Sequence, residues 1–372
     1  MVDEQQLYRD TWAGIDLDAI VYNMKEICKL LPNETKAFAA VKANGYGHGA
    51  VQIAIAALKG GAHGLLVAFL DEALELRKAG LTAPILVLGY TRPEDADVAE
   101  KAGISLTVYQ FDWLQKAENF ISKEARLSVH IKCDTGMNRI GIKDTNELSL
   151  MEDFIKKSSS YYFQGIYTHF ATADQKEEQY YQRQLARFRE FLRVLKMQPP
   201  YVHAANSAAT LYHHDSLFNA IRVGISLYGL SPSPEIKPHL PFAGREAFSL
   251  HTKIIHIKKL SAGETIGYGA TYTAEEDEWI ATIPIGYADG WLRHLQGFQV
   301  IADNEWAPIV GRICMDQTMI KLPRFTAIGT KVTLIGQQGE KKISVDHVAE
   351  KLDTINYEVT CMISHRVPRI YV

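Results

Sequence analysis

Apolar runs and helical periodicities alternate along the first two thirds of the chain. After Trp12 a short strand-like piece ends at Asp16, and Asp18 stands where an N-cap belongs, ahead of Ile20, Met24, Ile27 and Leu31 at helical spacing. The apolar run 38–41 predicts a buried strand, broken by Gly45, Gly47 and Gly49, with a helix through Val51 to Leu58 behind it. Further strand-like runs fall at 64–69, 84–90, 105–109, 127–134, 163–170, 201–206 and 220–229. Helical segments separate them. The clearest covers 71–80, acidic at its start, basic at Arg77-Lys78 and closed by glycine; another, long and charged, covers 175–196. Counted from the 38–41 run, these are eight strands alternating with helices over about 200 residues, which predicts a (β/α)8 TIM-like barrel. A doubly wound open sheet would alternate too, usually with fewer strands.

The pattern then changes. The segment 231–241 holds four prolines in eleven residues and reads as a boundary. Beyond it, strand-like runs at 247–260, 279–286, 298–302, 307–313, 317–322 and 331–336 follow one another with short turns. A helix over 345–352 interrupts them before a final strand. The predicted class is therefore α/β plus β: a barrel domain over 12–238 and a mainly-β domain over 239–372, with residues 1–11 pairing with the second.

Composition narrows the function. At 372 residues and 47% apolar, the chain can bury two cores. A formal charge of −3 with interspersed signs gives no footprint for nucleic acid or for a membrane surface. The four cysteines are scattered, so neither a metal site nor a disulfide framework is expected. With no basic-then-apolar leader, a reducing cytoplasmic setting is expected.

Candidate chemistry gathers where barrel strands end, the place where such barrels carry their sites. Lys42 closes the first strand. Burial there would disfavour its ammonium and free the amine for Schiff-base chemistry; taken alone, the stretch favours a lysine whose amine snorkels to water. Strand six ends at His169. Strand seven runs into Asn206-Ser207, and strand eight carries Arg222, Gly224 and Ile225. A hydroxyl at Ser207 and backbone approach at Gly224 suit a phosphate. A reactive lysine beside a phosphate site points to pyridoxal 5'-phosphate (PLP).

The chain resembles the alanine racemase family over essentially its whole length. The likeness rests on Val-Lys-Ala-Asn-Gly-Tyr-Gly-His-Gly (41–49), Lys-Cys-Asp-Thr-Gly-Met-Asn-Arg (132–139) and Tyr-Thr-His-Phe-Ala-Thr-Ala-Asp (167–174). It continues in Ala-Asn-Ser-Ala (205–208), Arg-Val-Gly-Ile-Ser-Leu-Tyr-Gly (222–229), Gly-Tyr-Gly-Ala-Thr-Tyr (267–272) and Ile-Pro-Ile-Gly-Tyr-Ala-Asp-Gly (283–290). Gly-Arg-Ile-Cys-Met-Asp-Gln (311–317) and Asn-Tyr-Glu-Val (356–359) complete it.

The resemblance implies a homodimer with shared active sites that interconverts L- and D-alanine and supplies D-alanine for peptidoglycan. It implies that Lys42 carries PLP and serves one face of Cα, while Tyr268 from the partner subunit serves the other. It further implies Tyr46, Ser207, Gly224, Ile225 and Tyr357 around the cofactor phosphate, Asn206 among the cofactor-binding residues, and Arg222, linked to His169, at the ring nitrogen. Arg139 and Met315 would meet the substrate carboxylate, Tyr287 would stand at the entrance, and Lys132, N-carboxylated in many members, would orient Arg139. The alternative for Lys132 is a plain ion pair, perhaps with Asp134. Asn138 stands where glycine is common and tolerates left-handed geometry, and Gly45 and Gly267 add local freedom. A serine or broad-specificity racemase and a non-enzymatic PLP-binding protein share parts of this pattern. A decarboxylase would place an acidic group, rather than Arg222, at the ring nitrogen.

Overall fold

Strand β1 (Lys36–Ala40) is buried after its first residue, as a barrel strand covered on both faces must be. It opens a closed parallel barrel with β2 (Gly64–Val67), β3 (Ile85–Val87), β4 (Ile104–Val108), β5 (Leu127–Lys132), β6 (Tyr161–Tyr167), β7 (Tyr201–His203) and β8 (Ala220–Val223). Closure is set by Phe38, which stands opposite Gly64 on one side and Arg222 on the other. Small residues admit large ones inside. A Cβ on Gly165 would meet His130 Nδ1 at 2.3 Å, so the missing side chain leaves room for that imidazole in the core.

This computed structural model describes residues 8–372. The chain divides at 17/18 and 245/246: residues 18–245 form the barrel unit, and residues up to 17 join 246–372 in the β unit. The division thus falls several residues beyond the expected positions 12 and 239, for a visible reason. The proline-rich segment and the residues after it, as far as Arg245, fold back on the barrel: Ser233 Oγ donates to Asp174 O, Asn23 Nδ2 donates to Arg245 O at 2.9 Å, and Arg245 N donates to Asn23 Oδ1.

In the β unit, the strand Thr11–Ile15 pairs antiparallel with β9 (Phe248–Lys253) and parallel with β19 (Arg369–Tyr371). The expected pairing of residues 1–11 with this unit holds for Thr11, and for Asp10, whose carbonyl accepts from Lys253 N; residues 1–7 lie outside the described ones. The run expected at 247–260 is two strands, β9 and β10 (His256–Leu260), in different sheets. Strand β10 pairs with β13 (Glu278–Ile283), and β13 with β16 (Thr318–Leu322). Strands β11 (Thr265–Ile266) and β12 (Tyr272–Thr273) form a short hairpin beside them. In the main sheet β9 pairs with β17 (Lys331–Gln338), which carries β18 (Lys341–Ile343) and, through β14 (Gln299–Ala302), β15 (Glu305–Pro308). The helix expected at 345–352 is Val345–Leu352, capped by Ser344 Oγ. A second helix, Asn356–Met362, follows it and was not anticipated.

Barrel strands stop short of their apolar runs. Ala204, Ala205, Ile225 and Leu227 are fully buried beyond β7 and β8, yet they belong to loops and a 3₁₀ turn folded over the barrel mouth. Apolar character reports burial there, not pairing. Lys42 and His169 consequently sit two residues past their strands.

Candidate active site

Val41 N makes a last ladder-like bond to Leu66 O, and the backbone then turns left-handed at four successive residues: Ala43, Asn44, Gly45 and Tyr46, with φ between 52° and 60°. For residues other than glycine this conformation costs about 1–2 kcal/mol each, so the turn persists only because its surroundings hold it. Gly45, expected to add freedom, instead satisfies a required positive φ of 60°. Glu72 Oε1 accepts from Ala43 N at 2.6 Å, Asn44 Oδ1 accepts from Ala50 N at 3.0 Å, and His48 Nδ1 lies 3.0 Å from Tyr46 O. Tyr228 Oη donates to Ala40 O at 2.9 Å, pinning the strand from the other side. Half-buried Lys42 is thereby set on a rigid pedestal at the barrel mouth.

Arg222, buried on β8, is held by acceptors. Nη1 meets His203 Nδ1 at 2.8 Å and His203 O at 3.2 Å, while Nη2 meets Thr168 O, Ala204 O and His169 Nδ1 at 2.7–3.0 Å. Because a guanidinium only donates, both Nδ1 atoms must accept and both rings carry their proton on Nε2. The logic propagates inward. His203 Nε2–H donates to His130 Nδ1 at 2.9 Å, and His130 Nε2–H donates to Gln164 Oε1 at 3.1 Å. Burial, helped by Arg222, holds the His203 and His169 pKa values well below the usual imidazole range; His130, with burial the larger cause, is pushed down to about 4. Burial also lowers Arg222, to about 10, which leaves it charged at neutral pH. Sequence reasoning found His169 and Arg222 but missed His130 and His203. Their signal was a histidine inside each of two apolar strand runs.

Four basic groups act on His169: after burial, its depression comes from Arg222, Lys132, Arg139 and Lys42 in that order. Lys132, the last residue of β5, is 2% exposed with Nζ 5.4 Å from the Tyr167 ring centroid. Burial first, then Arg222 and Arg139, push its ammonium down to about 7. An ion pair between Lys132 and Asp134 is not what forms. Asp134 Oδ1 instead accepts from Gly136 N and Asn138 N, both at 3.0 Å, and Oδ2 faces Lys143 at 3.9 Å. Those bonds shape the loop that presents exposed Arg139, and Asn138 takes the expected left-handed backbone, φ 55°. The mouth is a cationic basin, suited to an anionic ligand.

Beside it lies a small cradle. Gly224 N donates to Ser207 Oγ at 2.8 Å, leaving the hydroxyl's own proton to offer outward. A Cβ on Gly224 would meet Tyr46 Oη at 2.7 Å, so glycine keeps that space open. Asn206 caps the following helix through Oδ1 to Ala209 N, and Ile225 begins the 3₁₀ turn Ile225–Tyr228. The buried Ser226 Oγ has no hydrogen-bond partner among the described residues. Close backbone approach at Gly224, two hydroxyls and adjacent positive charge match the chemistry of a phosphate-bearing cofactor.

The remaining predicted residues belong to the β unit. Tyr268, 72% exposed, rides a turn between β11 and β12. Gly267 there has φ 69° and ψ −170°, a region essentially reserved for glycine, so it too serves a required geometry rather than added freedom. A Cβ on Gly269 would meet Arg312 Nη1 at 2.9 Å, so the turn lies against the 311–317 motif. Tyr287 N donates to Cys314 O and Ala288 N to Met315 O, which brings Tyr287 and Met315 onto adjoining segments. Tyr357 lies, half-buried, in the helix Asn356–Met362.

Comparison with known proteins points one way. The family model described as "Alanine racemase, N-terminal domain" matches residues 15–232, and "Alanine racemase, C-terminal domain" matches residues 247–371. Alanine racemase of Geobacillus stearothermophilus is 56% identical over 364 residues, covering 98% of this chain and 94% of that protein. The crystal structure of Bacillus anthracis alanine racemase with bound L-Ala-P is similar at a TM-score of 0.96 and 50% identity, covering 99% and 96% of the two chains. Histidine racemase from Leuconostoc mesenteroides is similar at a TM-score of 0.94 and 32% identity, covering 99% of each chain. With both halves of the sequence matched in order and identity above one half across nearly all of it, this chain belongs to the alanine racemase family and is an enzyme of that kind.

Proposed function

We propose that the enzyme binds PLP at the mouth of the barrel and racemises alanine with two bases, supplying D-alanine for peptidoglycan in the cytoplasm. The observation that carries the proposal is the convergence of Lys42, Lys132, Arg139 and Arg222 on a neutral His169, beside the Gly224 cradle. PLP, when bound, supplies an electron sink for the charge left at Cα as its proton departs. Lys42 holds the cofactor and, once released from it, moves a proton on one face of Cα. Tyr268 of a second copy of the chain moves a proton on the other face, because inversion needs removal on one side and delivery on the other.

Tyr46, Ser207, Gly224, Ile225 and Tyr357 hold the phosphate, and Asn206, which caps the helix that Ser207 opens, adds to the cofactor's surroundings. Arg222 faces the ring nitrogen. Locked by His169 and His203 and still charged, it cannot readily give that nitrogen a full proton, which restrains side reactions. Arg139 and the backbone at Met315 receive the substrate carboxylate, and Tyr287 narrows the entrance. Lys132, with much of its amine neutral near pH 7, adds CO2 to become a carbamate and releases a proton; the new anion orients Arg139. Dimerisation is part of the proposal, since one copy's Tyr268 and Met315 complete the other copy's site.

Circular dichroism of pure L-alanine incubated with the PLP-loaded protein tests the reading. The signal decays to zero while the alanine persists by mass. An unchanged signal from protein that visibly holds cofactor removes alanine as substrate. Serine comes next, then histidine, because the similar Leuconostoc protein is a histidine racemase. Failure with all three leaves a PLP-binding protein without racemase activity.

A further inference from the structure

We infer that Glu72 is a positioning residue for Lys42: its carboxylate clamps the left-handed turn that aims the lysine into the barrel mouth. The inference rests on the reading of Lys42 as the cofactor-bearing lysine. Glu72 stands in the first turn of the helix Leu70–Lys78. A glutamate there ordinarily serves its own helix start, and Oε2 does so, accepting from Ala68 N at 2.7 Å and Phe69 N at 3.2 Å. The other oxygen leaves the helix altogether. Oε1 accepts from Ala43 N at 2.6 Å, 29 residues away in sequence.

The Ala43 amide shares its peptide plane with the Lys42 carbonyl, so fixing that N–H fixes ψ of Lys42 and φ of Ala43 together. Alanine has no intrinsic preference for φ 52°. The far end of the turn has its own clamps in Asn44 and His48, whereas the amide at its start is held by Glu72. Without that oxygen, the start of the turn keeps only the backbone bonds Gly45 N to Val41 O and Gly47 N to Ala43 O, and the peptide that carries the base of the lysine loosens. A carboxylate is required. Both oxygens accept at once, and an amide would set an N–H against a backbone N–H on one side.

The test compares E72Q and E72D with E152Q. Glu72→Asp keeps the charge at the helix start but withdraws it from Ala43 by one methylene, and it decides the matter should E72Q not fold. Glu152 is a matched control: a buried glutamate that accepts from Lys196 N and Met197 N at 2.7–3.1 Å, outside the site described above. In the PLP-loaded proteins two quantities are followed: kcat, and the pH midpoint of the visible band of the cofactor held on Lys42. Both Glu72 variants are expected to lose about tenfold to a hundredfold in kcat, the scale of a misplaced reacting group, and to shift the midpoint. E152Q loses thermal stability but keeps kcat and the midpoint. Wild-type values in E72Q and E72D overturn the assignment. If the wild-type protein takes up no PLP, the cofactor reading has failed instead. Glu72 is then judged by acylation of Lys42 relative to Lys59 and Lys78, followed by peptide mass spectrometry. A Lys42 rate unchanged in E72D refutes the clamp.

Discussion

Arg222 Nη1 lies 2.8 Å from His203 Nδ1, and only the arginine can donate across that gap. One donor-only group thus dictates the tautomer of three imidazoles, His169 on one side and His203 then His130 on the other. The barrel interior behaves as a polar strut that keeps the guanidinium from rotating.

Acid should therefore loosen the barrel early. An imidazole in the unfolded chain takes up a proton at about pH 6.5, whereas folded His130 does so at about 4 and His203 well below the usual range. The unfolded state binds more protons between those values, so the stability these groups lend is complete above about 6.5 and is lost as pH falls toward about 4. Urea unfolding at a series of pH values checks this. His130→Asn, which keeps an acceptor for His203, should flatten the slope by about one proton; a slope equal to wild type refutes the assignment.

Lys132 should carry carbon dioxide. Pushed down to about 7 and flanked by Arg222 and Arg139, it gains from becoming an anion. Protein exchanged with 13C-bicarbonate should show a carbamate resonance that fades below neutral pH, where the amine is protonated, and is missing from Lys132→Arg. No resonance in the wild-type protein under mildly alkaline conditions sinks the idea.

Gly224→Ala puts a methyl group 2.7 Å from Tyr46 Oη. Overpacking of this kind costs about 1–3 kcal/mol, and here it falls on the proposed phosphate cradle. PLP affinity should drop by about tenfold or more while the far-ultraviolet spectrum stays native. Undiminished affinity in a cofactor titration would place the phosphate elsewhere.

Tyr268→Phe separates a base from a contact. The hydroxyl is lost from an exposed turn, so folding and cofactor retention should survive while racemisation falls by about 10² to 10⁴-fold, the range for a positioned acid or base. Full activity in the variant removes the two-base reading.

Much of the architecture was legible because burial and periodicity are local signals. Eight apolar runs became eight barrel strands, and the helix at 345–352 sits where it was expected. The strand ends were not legible, since Ala205 and Ile225 are as buried as any strand residue. The turn at 43–46 was hidden for a deeper reason. Ala43 and Tyr46 have no taste for positive φ, and the group that holds the turn's start comes from Glu72, in another segment. No expectation covered Asn356–Met362; its β-branched Val359 and Thr360 are weak helix formers, and their burial overrides that preference.

The strand Thr11–Ile15 sets an order of assembly. Its partners are β9 and β19, synthesised after the entire barrel unit and at the far end of the chain respectively. On the ribosome it must emerge early and wait unpaired while residues 18–245, an uninterrupted stretch, condense by themselves. Loop closure across so many residues disfavours early formation of the sheet that receives it. Among the elements described, the earliest strand translated is among the last to find its place.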